Sequence, residues 1–252
     1  MRMEAEMENG TFVMMPETGM VLAAGLGTRM RPITDRMPKP LVPVAGRALV
    51  DYAIDRLEEA GVRRIVVNAH YKADMLAAHL HKRDSAAEIE ISNEDDLLET
   101  GGGVLKALPR LGDLFYVVNS DVIWLDGKVS ALKRLARFWD DATMDVVLLL
   151  QRTTTAVGYD GIGDFFLDPD AVPRRRCERE IAPYLFAGVQ LMHRRVFAGI
   201  GERRFSLNRI YDRALEAGRL RAVLHDGEWY HVGTPEGLAL TEGLLHYHRT
   251  ER

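Results

Sequence analysis

Short apolar runs recur from Val21 to Gln151, separated by stretches in which apolar residues return every third or fourth position. Val21-Leu22-Ala23-Ala24, Arg64-Ile65-Val66-Val67-Asn68, Leu114-Phe115-Tyr116-Val117-Val118 and 145–151 read as buried strands, and Glu88-Ile89-Glu90-Ile91-Ser92 alternates as a strand should. Between them, 48–60 carries Leu49, Tyr52, Ala53 and Leu57 at helical spacing, with Gly61 where a helix end favours glycine. The segments 72–82, 98–109 and 129–139 predict further helices. Strand and helix alternate, which predicts a single α/β domain over 18–252: a doubly wound, mostly parallel, Rossmann-like sheet with helices on both faces. Residues 1–17 are Met/Glu-rich and lack periodicity, so a flexible extension is expected there. Past Gln151 the pattern weakens, although 184–192 reads as a strand containing Gly188, and Thr234-Pro235-Glu236 opens a last helix with a Thr cap and Pro at its first position.

Sheets of this kind bind ligands beyond the carboxyl ends of their strands. Four such ends carry polar residues: the turn after Ala24, then Asn68-Ala69-His70, Asn93-Glu94 and Asn119-Ser120-Asp121. The first is the most specific. Gly25 and Gly27 let backbone N–H groups approach an anion with no Cβ in the way, and Thr28, Arg29 and Lys39 surround them. Met30 stands where a dinucleotide fingerprint needs its third glycine, and no Gly-Lys-Ser/Thr follows as a Walker A loop requires. What the turn adds is fixed positive charge, a guanidinium that can clamp phosphate oxygens in pairs and an ammonium that acts as a point charge. A polyphosphate suits it.

The residues Leu22 to Thr34, with Pro38 to Val44, resemble the signature of the sugar-1-phosphate nucleotidyltransferases, which join a nucleoside triphosphate to a sugar 1-phosphate and release pyrophosphate. The resemblance implies nucleotide contacts from Leu22, Ala23, Ala24, Gly25, Gly27, Thr28, Asn68, Glu94, Thr100, Gly101, Gly102 and Asn119. It implies catalytic roles for Arg29, Lys39 and Asp121. The run Leu98-Glu99-Thr100-Gly101-Gly102-Gly103 through Pro109 resembles the N-acetylmuramate α-1-phosphate uridylyltransferases of cell-wall recycling in particular. Three glycines opening a helix let a base or ribose lie on the backbone; the alternative is that they serve close packing. Gly163-Asp164-Phe165 resembles a fragment of the same group, so Asp164 and Gly188 are expected on the sugar side.

A metal completes the expectation. By the resemblance Asp121 holds Mg²⁺, with Mn²⁺ as the alternative ion, and leaves other positions to water and phosphate. Trp229-Tyr230-His231-Val232-Gly233-Thr234-Pro235-Glu236 matches a family motif except that His231 replaces an aspartate that shares the metal. An imidazole favours Mn²⁺, Co²⁺ or Zn²⁺ over Mg²⁺; His231 either ligates the ion or hydrogen-bonds a phosphate. A family Glu-Lys-Pro is also missing, and Arg174, Arg175 or Arg176 are the candidates to supply its cation. A mannose-1-phosphate guanylyltransferase is the closest competing reading, and a non-catalytic nucleotide-binding homologue the reading from another class.

Composition adds mainly exclusions. With 47% hydrophobic and 28% charged residues and a net charge of −4, the chain is an ordinary globular protein with no bias toward nucleic acid or an anionic membrane. No apolar run approaches membrane length, and 1–10 holds three glutamates rather than a basic leader, so a cytoplasmic location is expected. The single cysteine, Cys177, has no His or Cys at metal spacing. Oligomeric state leaves no trace in the sequence.

Overall fold

The computed structural model describes residues 5–8 and 11–250, with side chains from 15 to 247. Four strands form one half of a central sheet: β1 (Thr18–Leu22), β2 (Arg64–Ala69), β3 (Glu88–Asn93) and β4 (Leu114–Asn119). They lie in the order β3-β2-β1-β4, all parallel. β5 (Val122–Leu125) leaves this sheet, and β6 (Val146–Arg152), β7 (Tyr184–His193) and β8 (Leu220–Leu224) extend it. β7 pairs antiparallel with both β4 and β6, and β8 rejoins β6 in parallel. The mostly parallel, doubly wound sheet expected from the alternation of elements is present, with β7 as its main antiparallel strand.

Alternating side chains explain the two-sided cover. Val21, Ile65, Val67, Tyr116 and Val118 point to one core with helices α1 (Leu49–Glu59), α2 (Ala73–Lys82) and, after α3 (Glu99–Ala107), α4 (Ala131–Phe138). Their neighbours Met20, Val66, Phe115 and Val117 point to the other, against Val104 and Ala107 of α3 and Ile210, Tyr211 and Ala214 of α5 (Asn208–Glu216). Each fully buried aliphatic or aromatic side chain contributes about 1.5–3 kcal/mol relative to exposure. A third cluster joins Met30, Val42, Val44, Ile123, Tyr230 and Leu245, so β5, β9 (Glu228–His231) and the last helix α6 (Pro235–Thr250) form a lobe against the glycine turn that follows β1.

The extension differs from expectation. Ala5–Glu8 and Thr11–Met14 pair antiparallel, with Glu8 opposite Thr11.

A candidate nucleotide pocket at the switch point

Chain direction across the sheet reverses between β1 and β4, since β2 lies on one side of β1 and β4 on the other. At their carboxyl ends Leu22 stands beside Asn119, and the Ser120 amide donates to the Leu22 carbonyl at 3.1 Å. A cavity of about 480 Å³ opens there. It is lined by Leu22, Ala23, Ala24, Gly25, Gly27, Thr28 and Arg29 from the first turn, and by Lys39, Asn68, Glu94, Thr100, Asn119 and Asp121. Three groups expected to act on one triphosphate, Arg29, Lys39 and Asp121, therefore share one pocket.

The first turn is built by its own side chains. Thr34, buried, donates through Oγ1 to the Gly27 carbonyl at 2.8 Å. Gly27 has φ +64°, and a Cβ there would press on Thr34 and Lys39. Gly25 is the opposite case: a Cβ would touch no protein atom, yet the residue lines the pocket. Gly27→Ala should therefore lower the melting temperature by several degrees, the left-handed cost being about 1–2 kcal/mol. Gly25→Ala should melt like the parent while binding nucleotide about tenfold more weakly. Thermal melts and nucleotide titration of the two variants check the contrast, and equal melting temperatures would refute it.

Asn68 and Glu94 are wall rather than hands. The Asn68 amide accepts from Ala23 N–H at 2.7 Å and donates to Glu94 Oε1 at 2.7 Å, while Glu94 Oε2 accepts from Leu98 N–H at 3.2 Å. Both residues are nearly closed to solvent, 3% and 5% exposed. Their polar atoms knit the ends of β1, β2 and β3 to the start of α3.

The α3 glycines require a correction. Gly101 and Gly102 do not line the pocket; their amides donate to the Phe205 carbonyl at 2.8 and 3.1 Å. A Cβ on Gly101 would overlap the Phe205 ring, and one on Gly102 the Arg203 carbonyl. Phe205 N–H in turn donates to the Leu98 carbonyl, and Leu207 N–H to Thr100 Oγ1. The glycines seat the 201–207 loop, which occupies the surface where a base was expected to lie. That loop brings Ser206 to the pocket, as do Leu97 and Glu99 from the approach to α3. The sequence carries no local sign of Ser206.

The sugar-side expectation also fails to reach the pocket. Asp164 Oδ2 accepts from Phe186 N–H at 2.9 Å, and Asp164 is not among the lining residues. Gly188, at φ +76°, lets β7 pass close to Asn119 and Val122 without itself lining the cavity. The candidate substitute cations are engaged elsewhere: Arg174 with Glu180, Arg175 with Asp212, and Arg176 with the Gly163 carbonyl.

Asp121 is the electrostatic centre. Lys39, at the head of the short turn Lys39–Leu41, places Nζ 2.8 Å from Asp121 Oδ2. His231 reaches the same oxygen from the other side, Nε2 at 3.7 Å, because the β5–β9 ladder sets His231 opposite Val122 and Val232 N–H donates to the Asp121 carbonyl. Burial alone would push the Asp121 carboxyl up; the Lys39 charge and the His231 contact outweigh it and hold the group well below the usual carboxylate range. A depressed carboxyl gives stability that is present above its ordinary range and lost only as pH falls through the lowered value, so Asp121 stays ionised in mild acid. Arg29 is exposed, with no ion-pair partner among the described residues.

An ionised carboxylate and an imidazole nitrogen 3.7 Å apart fit a divalent ion, since two ligands at about 2.1 Å each can span that gap. Among the described residues there is no cluster of three or more His, Cys, Asp or Glu placed to hold a metal, so this pair would share the ion with phosphate and water.

The sequence profile of the nucleotidyl transferase family matches residues 18–162, from β1 through the pocket-forming half of the sheet. The chain belongs to the nucleotidyl transferase family. It is 43% identical to the N-acetylmuramate alpha-1-phosphate uridylyltransferase of Caulobacter vibrioides over 91% of this chain and 97% of that one. It is 33% identical to the enzyme of the same name from Neisseria meningitidis, over 85% and 92%. In fold it is similar to the inositol-1-phosphate CTP transferase of T. maritima, with a TM-score of 0.74 at 17% identity, covering 91% of this chain and 96% of that one. The expected enzyme class, a sugar-1-phosphate nucleotidyltransferase, is the class of these relatives.

Proposed function

We propose that the chain transfers a uridylyl group from UTP to N-acetylmuramate α-1-phosphate, giving the UDP-sugar and pyrophosphate in the cytoplasm, without a nucleic-acid or membrane partner. The observation that carries the reaction class is the meeting of Arg29, Lys39 and Asp121, far apart in sequence, in one pocket at the sheet's switch point. Identity to the Caulobacter relative along nearly its whole length supports the choice of base and sugar. Among the described residues no helix is long and apolar enough to cross a membrane.

The chemistry asks little covalent work of the protein. A sugar-phosphate oxygen is already ionised at neutral pH, so no general base is needed. It attacks the α-phosphorus, the bond to the β-phosphate oxygen breaks, and pyrophosphate leaves with the electron pair. The Gly25 to Thr28 backbone and Arg29 would hold the β and γ groups, and Lys39 would meet the α-phosphate, so that charge is neutralised in line with the attack. Asp121 and His231 would hold a divalent ion, which when bound supplies electrostatic stabilisation of the phosphates. Leu22, Ala23 and Asn119, which line the cavity, would meet the nucleoside, with Asn68 holding the Ala23 amide and Glu94 holding Asn68 in turn.

A pyrophosphate-release panel tests the reading: four nucleoside triphosphates against N-acetylmuramate, N-acetylglucosamine and mannose 1-phosphates. UTP with N-acetylmuramate 1-phosphate should exceed every other pair by at least about tenfold in kcat/KM. A preference for GTP with mannose 1-phosphate would replace the proposal with guanylyl transfer.

A further inference from the structure

Asn68 and Glu94 wall the cavity on the β2–β3 side, and on the other side of Asn119 lies β7. β4 pairs with β7 only as far as Val118 opposite Val189, whereas Tyr184 to Phe186 run on past that end and pair with Leu150 to Arg152 of β6. The β6–β7 register shifts between Leu148 and Leu150, beside Gly188 at φ +76°, a bulge of the kind that re-aims side chains next to sites. Both β4 and β6 are antiparallel to β7, so β6 ends, at Arg152, on the same edge of the sheet as the pocket.

Tyr184 and Phe186, both half-buried, pack on the same face as Leu22 and Phe205, the face from which Ser206 reaches the pocket. Two partly open rings there offer an aromatic surface to a pyranose. Arg152 follows Leu150 on that face and lays its guanidinium over Tyr184, 5.8 Å from the ring centroid. It is exposed, with no hydrogen bond or ion pair among the described residues, whereas Arg174, Arg175 and Arg176 are each engaged. Asp164 does not claim it, since that carboxylate accepts from Phe186 N–H. The backbone beside Arg152 is fixed. Thr153 donates to the Pro183 carbonyl through N–H at 3.0 Å and Oγ1 at 3.2 Å, and the chain then pairs Ala156 with Trp229 and sets the Gly158 carbonyl 3.3 Å from His231 Nδ1. The run from Arg152 to Gly158 thus joins the aromatic surface to the wall that holds Asp121.

A guanidinium seated on a ring with its N–H fork uncommitted suits a carboxylate. β6 lies two strands from β4, roughly 10 Å at about 4.8 Å per strand, which is about the span of a substituted pyranose. We propose that Arg152 binds a carboxylate carried by the acceptor sugar, while Tyr184 and Phe186 support the sugar ring. The inference rests on the nucleotidyl-transfer reading and deepens it: Arg152 tells N-acetylmuramate 1-phosphate, with its lactyl carboxylate, from N-acetylglucosamine 1-phosphate, which lacks only the lactyl group.

Steady-state pyrophosphate release with UTP and each of these two sugar phosphates, in the parent and in Arg152→Gln, tests this. The ratio of kcat/KM for the muramate over the glucosamine compound should fall by at least about tenfold in Arg152→Gln, through KM for the muramate, and Arg152→Lys should restore part of it. In the parent, raising the ionic strength should shrink the same ratio, because a rim charge is screened, and this measurement needs no variant to fold. A ratio within about twofold of the parent in folded Arg152→Gln, or a parental ratio indifferent to salt, would overturn the carboxylate site. The two readings fail separately. A parent that prefers N-acetylmuramate 1-phosphate as strongly with Gln at 152 keeps the proposed function and loses Arg152; a parent that prefers a hexuronate 1-phosphate, with that preference erased in Arg152→Gln, loses the proposed sugar and keeps Arg152.

Discussion

Asp121→Asn is expected to lower kcat/KM by about a thousandfold while the protein remains folded. The amide keeps the shape of the side chain and still offers an oxygen to Lys39 Nζ, now 2.8 Å from the carboxylate, so the partly buried ammonium is not left bare. What disappears is the negative charge. A neutral amide balances neither Lys39 nor a divalent ion, and in the proposed reaction both would meet the α-phosphate beside this one side chain. The loss should fall on kcat rather than on KM for the sugar phosphate, because the missing interaction matters most as charge moves at phosphorus. Steady-state pyrophosphate release beside a thermal melt makes the measurement. A variant that melts normally and keeps more than about a tenth of parental kcat/KM would remove Asp121 from the reaction.

Asn68→Ala is expected to be the most damaging single change in the wall of the pocket. It strands the Ala23 N–H and one oxygen of Glu94 together, in a place almost closed to water. Leaving a buried donor or acceptor unsatisfied costs about 1–3 kcal/mol each, and more for a charged group, so a loss of about 3–4 kcal/mol is expected. For a chain of this size that is roughly 10 °C in melting temperature. Ala23 begins the phosphate turn, so nucleotide affinity should fall with stability. Asn68→Asp should be no better: it can accept from Ala23 but sets a carboxylate against Glu94. Melting within about 2 °C of the parent in Asn68→Ala would show that the three strand ends are held some other way.

How much of this could be read from the chain depends on the range over which each signal acts. The first strand and its turn were legible because Gly25, Gly27, Thr28 and Arg29 are nearly adjacent and Lys39 follows ten positions after Arg29, and the alternation of β1 to β4 with helices sets the parallel sheet. The α3 glycines were legible as glycines but not in purpose. What they make room for, Phe205 and the Arg203 carbonyl, lies about a hundred positions downstream and has no periodic signature. Asp164 was placed on the sugar side by the resemblance of Gly163-Asp164-Phe165 alone, and the sequence gives no sign that its carboxylate accepts from the Phe186 amide of β7, far along the chain. The approach of His231 to Asp121 depends on ladder register between β5 and β9, which the spacing of the two residues does not encode. The pairing of Ala5–Glu8 with Thr11–Met14 leaves no periodic trace, because four-residue strands are too short to show one.

The 201–207 loop is held through its own main chain: the Phe205 carbonyl accepts from the Gly101 and Gly102 amides, the Phe205 amide donates to the Leu98 carbonyl, and the Leu207 amide donates to Thr100 Oγ1. Phe205 and Leu207 are buried anchors of the loop, whereas Ser206 between them lines the cavity and is exchangeable without unseating it. Natural drift or directed evolution toward new acceptors has a ready place to work here, a lip whose lettering can be rewritten while its hinge pins stay fixed.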